Sequence, residues 1–187
     1  MADFFSLTNH FLIATPALND SFFAGSVIYL CDHSPQSALG VMINKPSSLR
    51  MEQLFKSIDK PMPKKFSEQW ILLGGPVQTD RGFLLHSPAG NWESSLQITN
   101  DIALTASKDV LLDDLSDDKS LTKSIATIGC SGWLEGQLEE ELNKNHWLIA
   151  PMDFEVLFDI PYYRRYSVAL NKLGIRAEQL SSGMGHA

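Results

Sequence analysis

The sequence has few of the features expected of a disulfide-stapled or membrane-spanning protein. Only two of its 187 residues are cysteine, too few for a disulfide framework in a chain of this length. Its apolar runs are far shorter than the roughly 20 residues that cross a bilayer. Residues 1–11 contain Asp3 and no basic segment, so they lack the pattern of a signal peptide. We therefore expect a cytoplasmic protein with no membrane partner.

Positive charge is also scarce. The chain has 15 lysines and arginines against 22 acidic residues, a formal net charge of −7. Its basic residues cluster only as short pairs, Lys64-Lys65 and Arg164-Arg165. Because a negative protein repels the phosphate backbone, we expect no direct binding to nucleic acid.

Sequence signatures of metals and cofactors are missing as well. The five histidines show no H-x-x-x-H spacing, and the acidic segment 113–120 (DDLSDDKS) lacks the glycine and distal glutamate of a calcium loop. There is no P-loop and no dinucleotide fingerprint. The sequence thus predicts no metal and no cofactor.

The composition that remains is typical of one compact domain, which we assign to residues 1–187. Hydrophobic residues make up 44% of the chain and charged residues 20%. Short strand-like runs mixed with helical patterns favour an α+β fold. The predicted strands are 26–31, 39–43, 70–73, 82–86, 124–128, 147–150 and 156–158. The predicted helices are 50–58 (capped by Ser47 or Ser48), 107–115, 134–143 and 162–173, with an exposed loop at 59–69.

Residues 125–147 (IATIGCSGWLEGQLEEELNKNHW) suggest a strand, a glycine-rich turn and a helix, the layout of many nucleophile and anion sites. The nucleophile elbow G-x-S-x-G fails, because Trp133 occupies the last glycine position. We expect Cys130 to be a packed thiol. Leu134, Leu138 and Leu142 recur every four residues and predict a core stripe. The neighbouring row, Trp133, Gln137 and Glu141, is interpreted as an anchor with solvated polar groups or as the polar wall of a cleft.

A second motif, residues 74–86 (GGPVQTDRGFLLH), places two glycines before several polar side chains. Gly74 and Gly75 predict either a tight turn or a close backbone approach to a ligand. Arg81 could hold a carboxylate of a ligand or an internal acidic residue. His86 is a candidate polar group for the same site.

Together, the segments FLIATPALNDSFFAGSVIYLCDH, ALGVMINKP, LLGGPVQTDRGFLLH, GCSGWLEGQLEEEL and GHA resemble the YqgE/AlgH family of bacterial proteins, from about Leu7 to the C-terminus. The resemblance implies a single domain with a mixed, largely antiparallel sheet flanked by helices. It also implies a family labelled as transcriptional regulators but without an established biochemical activity. The chain departs from the family pattern at Ser37, Lys45 and Cys130, and the departure at Cys130 argues against a family-wide thiol chemistry at that position.

Two classes of function follow from the resemblance. One is a regulator that acts on transcription indirectly, through a protein or small-molecule partner. The alternative is a hydrolase or transferase that uses a cleft between the Gly74-Gly75-Pro76 turn and the Trp133–Glu141 helix, with Glu141 or His86 as general base. The absence of nucleophile, metal and cofactor signatures favours the first class. The candidate ligand-binding residues carried over from the family motifs, with no catalytic residue assigned, are Asn44, Gly74, Gly75, Arg81, His86, Trp133, Gln137 and Glu141.

Overall fold

Ten strands and five α-helices make up the structure, a computed structural model that describes residues 4–112 and 121–182. The strands are β1 (His10–Ala14), β2 (Val27–Ser34), β3 (Ser37–Met42), β4 (Pro46–Arg50), β5 (Trp70–Leu73), β6 (Val77–Ser87), β7 (Leu96–Gln97), β8 (Ala103–Ala106), β9 (Lys123–Leu134) and β10 (Trp147–Pro151). The helices are α1 (Met51–Ser57), α2 (Ser107–Leu112), α3 (Gln137–Asn143), α4 (Arg165–Lys172) and α5 (Ala177–Ser182).

The strands form one mixed, largely antiparallel sheet, which confirms the predicted α+β fold. Its main path runs β10-β1-β2-β3-β9-β6-β8-β7, with antiparallel neighbours throughout. Strand β5 lies off this path and pairs parallel with β9 and antiparallel with β4. The first half of β9 contacts β5 and β6, and its second half contacts β3. This long strand therefore joins the two halves of the sheet.

Helices cover the apolar faces of the sheet. On α1, Met51 and Phe55 are buried while Leu54 and Ile58 pack against the same cluster, as their spacing predicted. Leu138 of α3 packs with strand residues of β1, β2 and β3. Ala169 and Leu170 of α4 enter a third cluster. The hairpin of β2 and β3, paired from Ile28 to Ser37, confirms the predicted antiparallel connection.

Two local predictions are wrong. Residues 46–50 form β4, so α1 begins after Arg50 and neither Ser47 nor Ser48 is its N-cap; the backbone N–H of Arg50 instead donates to Gln53 Oε1 at 2.8 Å. Residues 156–158 are not a strand but part of a π-helical turn, Glu155–Asp159. There the N–H of Ile160 donates to the carbonyl of Glu155, and Asp153 accepts the N–H of Val156.

The predicted loop 59–69 is only partly exposed. It contains a 3₁₀ turn, Lys64–Phe66, whose Phe66 side chain is buried beside Phe55. The predicted helix 162–173 divides into a 3₁₀ turn, Tyr162–Arg164, and α4, which ends before Gly174 at φ 74°. Predictions for residues 113–115 of the second helix, the acidic segment 113–120 and the terminal residues 185–187 lie outside the described residues.

Candidate functional site

The glycine-rich segment 129–133 is strand, not turn. Ala38 pairs with Trp133, Leu39 with Gly132 and Gly40 with Ser131 in the β3–β9 ladder. The turn lies later, at Gly136, whose φ of 72° falls in the left-handed region. Helix α3 therefore begins at Gln137 instead of Leu134, and the layout expected of an anion site at residue 134 is absent.

The predicted leucine stripe is correct at two positions and wrong at the first. Leu138 is buried and Leu142 packs against the same cluster. The side chain of Leu134, however, is 79% exposed, because it belongs to the end of a strand and not to the helix.

Gly74 and Gly75 pass directly over β9. The backbone that they approach closely is therefore that of β9 in the same chain. A Cβ atom at Gly74 would lie 2.2 Å from the carbonyl oxygen of Gly129, and one at Gly75 would lie 2.2 Å from the carbonyl carbon of Cys130. The N–H of Gly74 donates to the carbonyl of Ile128 at 2.8 Å. Its carbonyl accepts the Ser131 hydroxyl at 3.0 Å. The two glycines are required by this crossing.

Glu141 is the centre of a hydrogen-bond network, which we call the Glu141 network. Its Oε2 accepts the indole N–H of Trp133 at 2.9 Å and that of Trp147 at 2.8 Å. Its Oε1 accepts from Gln137 Nε2 at 3.0 Å, and Gln137 Oε1 accepts the N–H of Leu134 at 3.1 Å. Both indoles are buried, so each needs an acceptor inside the protein.

This network decides between the two interpretations of the row formed by Trp133, Gln137 and Glu141. Trp133 is a buried anchor, as expected, and Gln137 is exposed. Glu141 is not the solvated group that the anchor interpretation assumed, since it is half-buried and accepts both indole N–H groups. Trp147, which the sequence placed only in a strand, is the partner that sequence reasoning missed. The one feature of the sequence that could have indicated this partner is its position, because Trp133 and Trp147 lie on either side of Glu141 in the chain.

His86 lies inside the sheet with none of its side chain exposed. Its Nδ1 is 2.8 Å from the carbonyl of Pro88, which can only accept, so Nδ1 carries the proton and Nε2 accepts from the Thr105 hydroxyl at 2.8 Å. Thr105 Oγ1 is in turn 2.6 Å from Ser95 Oγ. Burial lowers the pKa of His86, and the bond to Pro88 opposes that shift. The imidazole is thus a neutral, internally bonded core group.

His86 is also far from the Glu141 network. It pairs with Ser124 on β9, and Trp133 is nine residues further along the same strand. At about 3.3 Å per residue, a straight strand would separate them by roughly 30 Å. The two candidate general bases therefore do not share one cleft.

The side chain of Asn44 is hydrogen-bonded within the protein, whereas that of Arg81 is exposed. Asn44 Oδ1 accepts the N–H of Val27 at 2.7 Å, and its Nδ2 donates to the carbonyl of Gly25 at 2.8 Å, which fixes the entry to β2. Arg81 is exposed on β6. An ion pair of Arg81 with an internal acidic residue, one of its two predicted roles, is not present among the described residues.

The two cysteines are buried free thiols. Burial raises the pKa of Cys130, and burial followed by the proximity of Cys130 raises the pKa of Cys31. Both are therefore protonated at neutral pH and poor nucleophiles. The prediction that Cys130 is a packed thiol is confirmed.

Within residues 4–112 and 121–182, no three His, Cys, Asp or Glu side chains are grouped as metal ligands. In the same residues no helix is long and apolar enough to cross a membrane.

Comparison with known proteins gives a consistent family. A family model described as AlgH-like matches residues 11–178. A UPF0301 protein of Neisseria meningitidis serogroup B is 47% identical over 182 residues, covering 97% of this chain and 100% of the relative. A UPF0301 protein of Chromobacterium violaceum is 49% identical over 183 residues, covering 97% and 98%.

Solved structures agree with these relatives. The solution structure of the AlgH protein from Pseudomonas aeruginosa is similar with a TM-score of 0.79 and 39% identity, covering 100% of this chain and 99% of that one. A crystal structure of a protein from Corynebacterium diphtheriae has a TM-score of 0.68 and 19% identity, covering 92% and 90%. At that identity the second likeness supports the fold alone.

Proposed function

The chain belongs to the AlgH-like family, and from that premise we propose that it is a recognition protein acting on transcription indirectly, through a bound protein or small molecule. The proposal places it in the bacterial cytoplasm, without direct contact to duplex DNA. The net charge of −7 supports the second point, because binding to phosphates would require a basic surface.

The observation that carries the proposal is the set of hydrogen bonds that Glu141 accepts. This carboxylate would be the general base of a cleft at α3, yet both of its oxygens accept hydrogen bonds from Trp133, Trp147 and Gln137. Taking a proton from a substrate on Oε2 would require breaking a bond to a buried indole, which costs free energy, and Oε1 already accepts a hydrogen bond from Gln137. The geometry supports a rigid platform better than a reacting group.

What the platform presents is apolar. Leu134 is 79% exposed and Val77 is 42% exposed. Between them lies Gly132, where a Cβ atom would be 3.9 Å from Val77 Cγ2. We call Val77, Gly132 and Leu134 the contact surface. Trp133 adjoins Leu134 in β9, Gln137 accepts the Leu134 N–H, and the Gly74–Gly75 crossing lies just before Val77, so four of the eight candidate ligand-binding residues adjoin this surface.

The alternative, a hydrolase or transferase, receives no specific support. Its second candidate base, His86, is hydrogen-bonded to Thr105 in an arrangement that could polarise a hydroxyl. Both side chains are fully buried, so a substrate could not reach the Thr105 oxygen without local opening of the sheet.

A complementation experiment tests the proposal. A strain lacking this gene would be supplied with the wild type, Leu134→Asp or Phe154→Asp, and its transcripts would be measured. Phe154 is a matched control, since it is a large apolar side chain 40% exposed on a different element. We expect wild type and Phe154→Asp to restore the transcript pattern and Leu134→Asp to fail. Sequence-dependent shifts of promoter fragments by the purified protein would contradict the indirect mechanism.

A further inference from the structure

A cleft of about 830 Å³ lies away from the contact surface. Its floor is formed by the starts of the parallel strands β5 and β9, including Trp70 and Lys123. One wall is the 3₁₀ turn with Lys65, and the other runs from the π-helical turn to Arg165. The volume falls within the range of small-molecule sites, about 300 to 1,000 Å³.

Arg165 is the unusual group in this cleft. Its side chain is buried, with 6% of the residue exposed, and it lines the cavity. Its Nε donates to the carbonyl of Ile160 at 3.0 Å and its Nη1 to the carbonyl of Ile43 at 2.6 Å. Burial lowers its pKa to about 10, so it remains a cation at neutral pH.

No carboxylate of the described chain forms an ion pair with Arg165. Two carbonyls use two of the five N–H groups of a guanidinium, and the rest can bind a planar anion in a forked geometry. A buried charge without a counterion is costly. An anion in the cleft would offset that cost.

The other charges of the cleft leave a positive balance. Lys123 forms an ion pair with Asp159, which neutralises that carboxylate. Lys65 and Glu68, both exposed, complete the charged lining with Arg165. The described residues that line the cleft therefore carry a net charge of +1, three cations against two acids, in a chain whose net charge is −7. This local reversal attracts small anions.

Aromatic rings provide the rest of the recognition chemistry. Trp70 lines the cleft, and the guanidinium of Arg50 lies 4.0 Å from the centroid of its ring, which holds the indole in place. At the rim, the rings of Tyr162 and Tyr163 meet edge to face at 5.5 Å, and Tyr163 is 71% exposed. Exposed rings beside cations favour ligands that combine a flat ring with a negative group.

We propose that this cleft binds a small organic anion that carries a planar ring, with the anionic group on Arg165 and Lys65 and the ring against Trp70 and Tyr163. A nucleoside monophosphate and an aromatic carboxylate share this chemistry. The site is separate from the contact surface, so either proposal can fail without the other.

The test uses the indole N–H signals of the intact protein in a ¹H–¹⁵N NMR titration. The probes are adenosine monophosphate and 4-hydroxybenzoate, with adenosine and inorganic phosphate as controls that each carry one half of the chemistry. We expect at least one ring-bearing anion to shift the Trp70 signal saturably, with weaker effects from both controls. The signals of Trp133 and Trp147, which belong to the Glu141 network, should stay in place. The responding probe identifies the source of the anion.

Variants locate the contacts. We expect Lys65→Ala to weaken binding about threefold to tenfold and Arg165→Lys about tenfold or more, because lysine lacks the planar fork. Lys56→Ala is the matched control for Lys65, since Lys56 is exposed on α1 and pairs with Glu52. Tyr163→Ala, compared with Phe5→Ala at another exposed ring, tests the aromatic rim independently of the fold.

Three results would overturn the proposal. The first is that neither ring-bearing anion shifts the Trp70 signal at concentrations up to about 10 mM, beyond the weakest useful affinities. The second is that adenosine binds as tightly as its monophosphate, and hydroxybenzoate not at all. The third is that Lys65→Ala and Tyr163→Ala bind the responding anion as tightly as their controls do.

Discussion

Trp133 Nε1 donates a hydrogen bond of 2.9 Å to Glu141 Oε2, which links the end of β9 to α3 across the turn at Gly136. The same oxygen accepts the indole N–H of Trp147 from β10. One carboxylate therefore fixes a helix to two strands that are not neighbours in the sheet. Each of these two hydrogen bonds is stronger than a bond from the same indole to a neutral acceptor would be, because the acceptor is a carboxylate.

The first prediction concerns removal of this carboxylate. Glu141→Ala leaves two buried indole N–H groups without an acceptor, so we expect a loss of about 2 to 4 kcal/mol in the free energy of unfolding, measured by urea melts. Glu140→Ala is the matched control, because Glu140 is exposed on the same helix and pairs only with Lys144. Its loss should stay within about 0.5 kcal/mol. Equal losses for the two variants would show that the Glu141 network contributes little.

The second prediction separates packing from hydrogen bonding at Trp133. Trp133→Ala empties a buried site and should cost on the order of 3 to 5 kcal/mol. Trp133→Phe retains part of the ring volume but loses the bond to Glu141, so its cost should be intermediate. Urea melts of both variants measure the difference. A nearly neutral Trp133→Ala would mean that the indole is not a structural anchor, and that it belongs to a binding surface first.

The third prediction tests the crossing of Gly74 over β9. Gly74→Ala would place a Cβ atom 2.2 Å from the carbonyl oxygen of Gly129, so the backbones must separate. We expect a loss of about 3 kcal/mol or more in stability. Gly132→Ala is the control, since its Cβ atom would meet only Val77 at 3.9 Å. If both variants are equally stable in urea melts, the close crossing is not required.

The fourth prediction follows from the buried histidine. Burial lowers the pKa of His86 from its ordinary value of 6.5, so the unfolded chain binds the proton more tightly than the folded chain. The contribution to stability is therefore complete above about pH 6.5 and is lost as the pH falls below it. Between pH 7.5 and 5.5, wild type should lose more stability than His86→Gln, whose side chain does not titrate. Parallel pH profiles for the two proteins would contradict this.

The sequence predicted elements whose apolar pattern has a clear period. The buried face of α1, the hairpin of β2 and β3 and the packed thiol of Cys130 follow from local spacing. It failed where tertiary pairing overrides local signals. Glycines 129 and 132 suggest a turn, but both belong to β9, and the backbone of Gly75 crosses at Gly129.

Less of the candidate site could be predicted from the sequence. The predicted row of Trp133, Gln137 and Glu141 is joined by hydrogen bonds to Glu141, although only Gln137 and Glu141 are an i, i+4 pair on α3 and Trp133 lies in β9. Apart from its position after Glu141 in the chain, nothing local indicates that Trp147 shares this carboxylate, because the contact depends on how β10 packs against α3. The cleft that contains Arg165 is assembled from three separate stretches of chain, and its buried cation comes from a pair that resembles an ordinary exposed Arg-Arg in the sequence.

The most direct test of the recognition function is photo-crosslinking in living cells with benzoylphenylalanine placed at position 134 or, as the control, at position 154. Both side chains are large, apolar and exposed, but only Leu134 belongs to the contact surface. We predict one discrete adduct with a protein of the transcription apparatus or its regulators from position 134, removed by Val77→Asp on the same surface, and none from position 154. The same adducts from both positions, or none from position 134 while transcripts still depend on the protein, would contradict the contact surface.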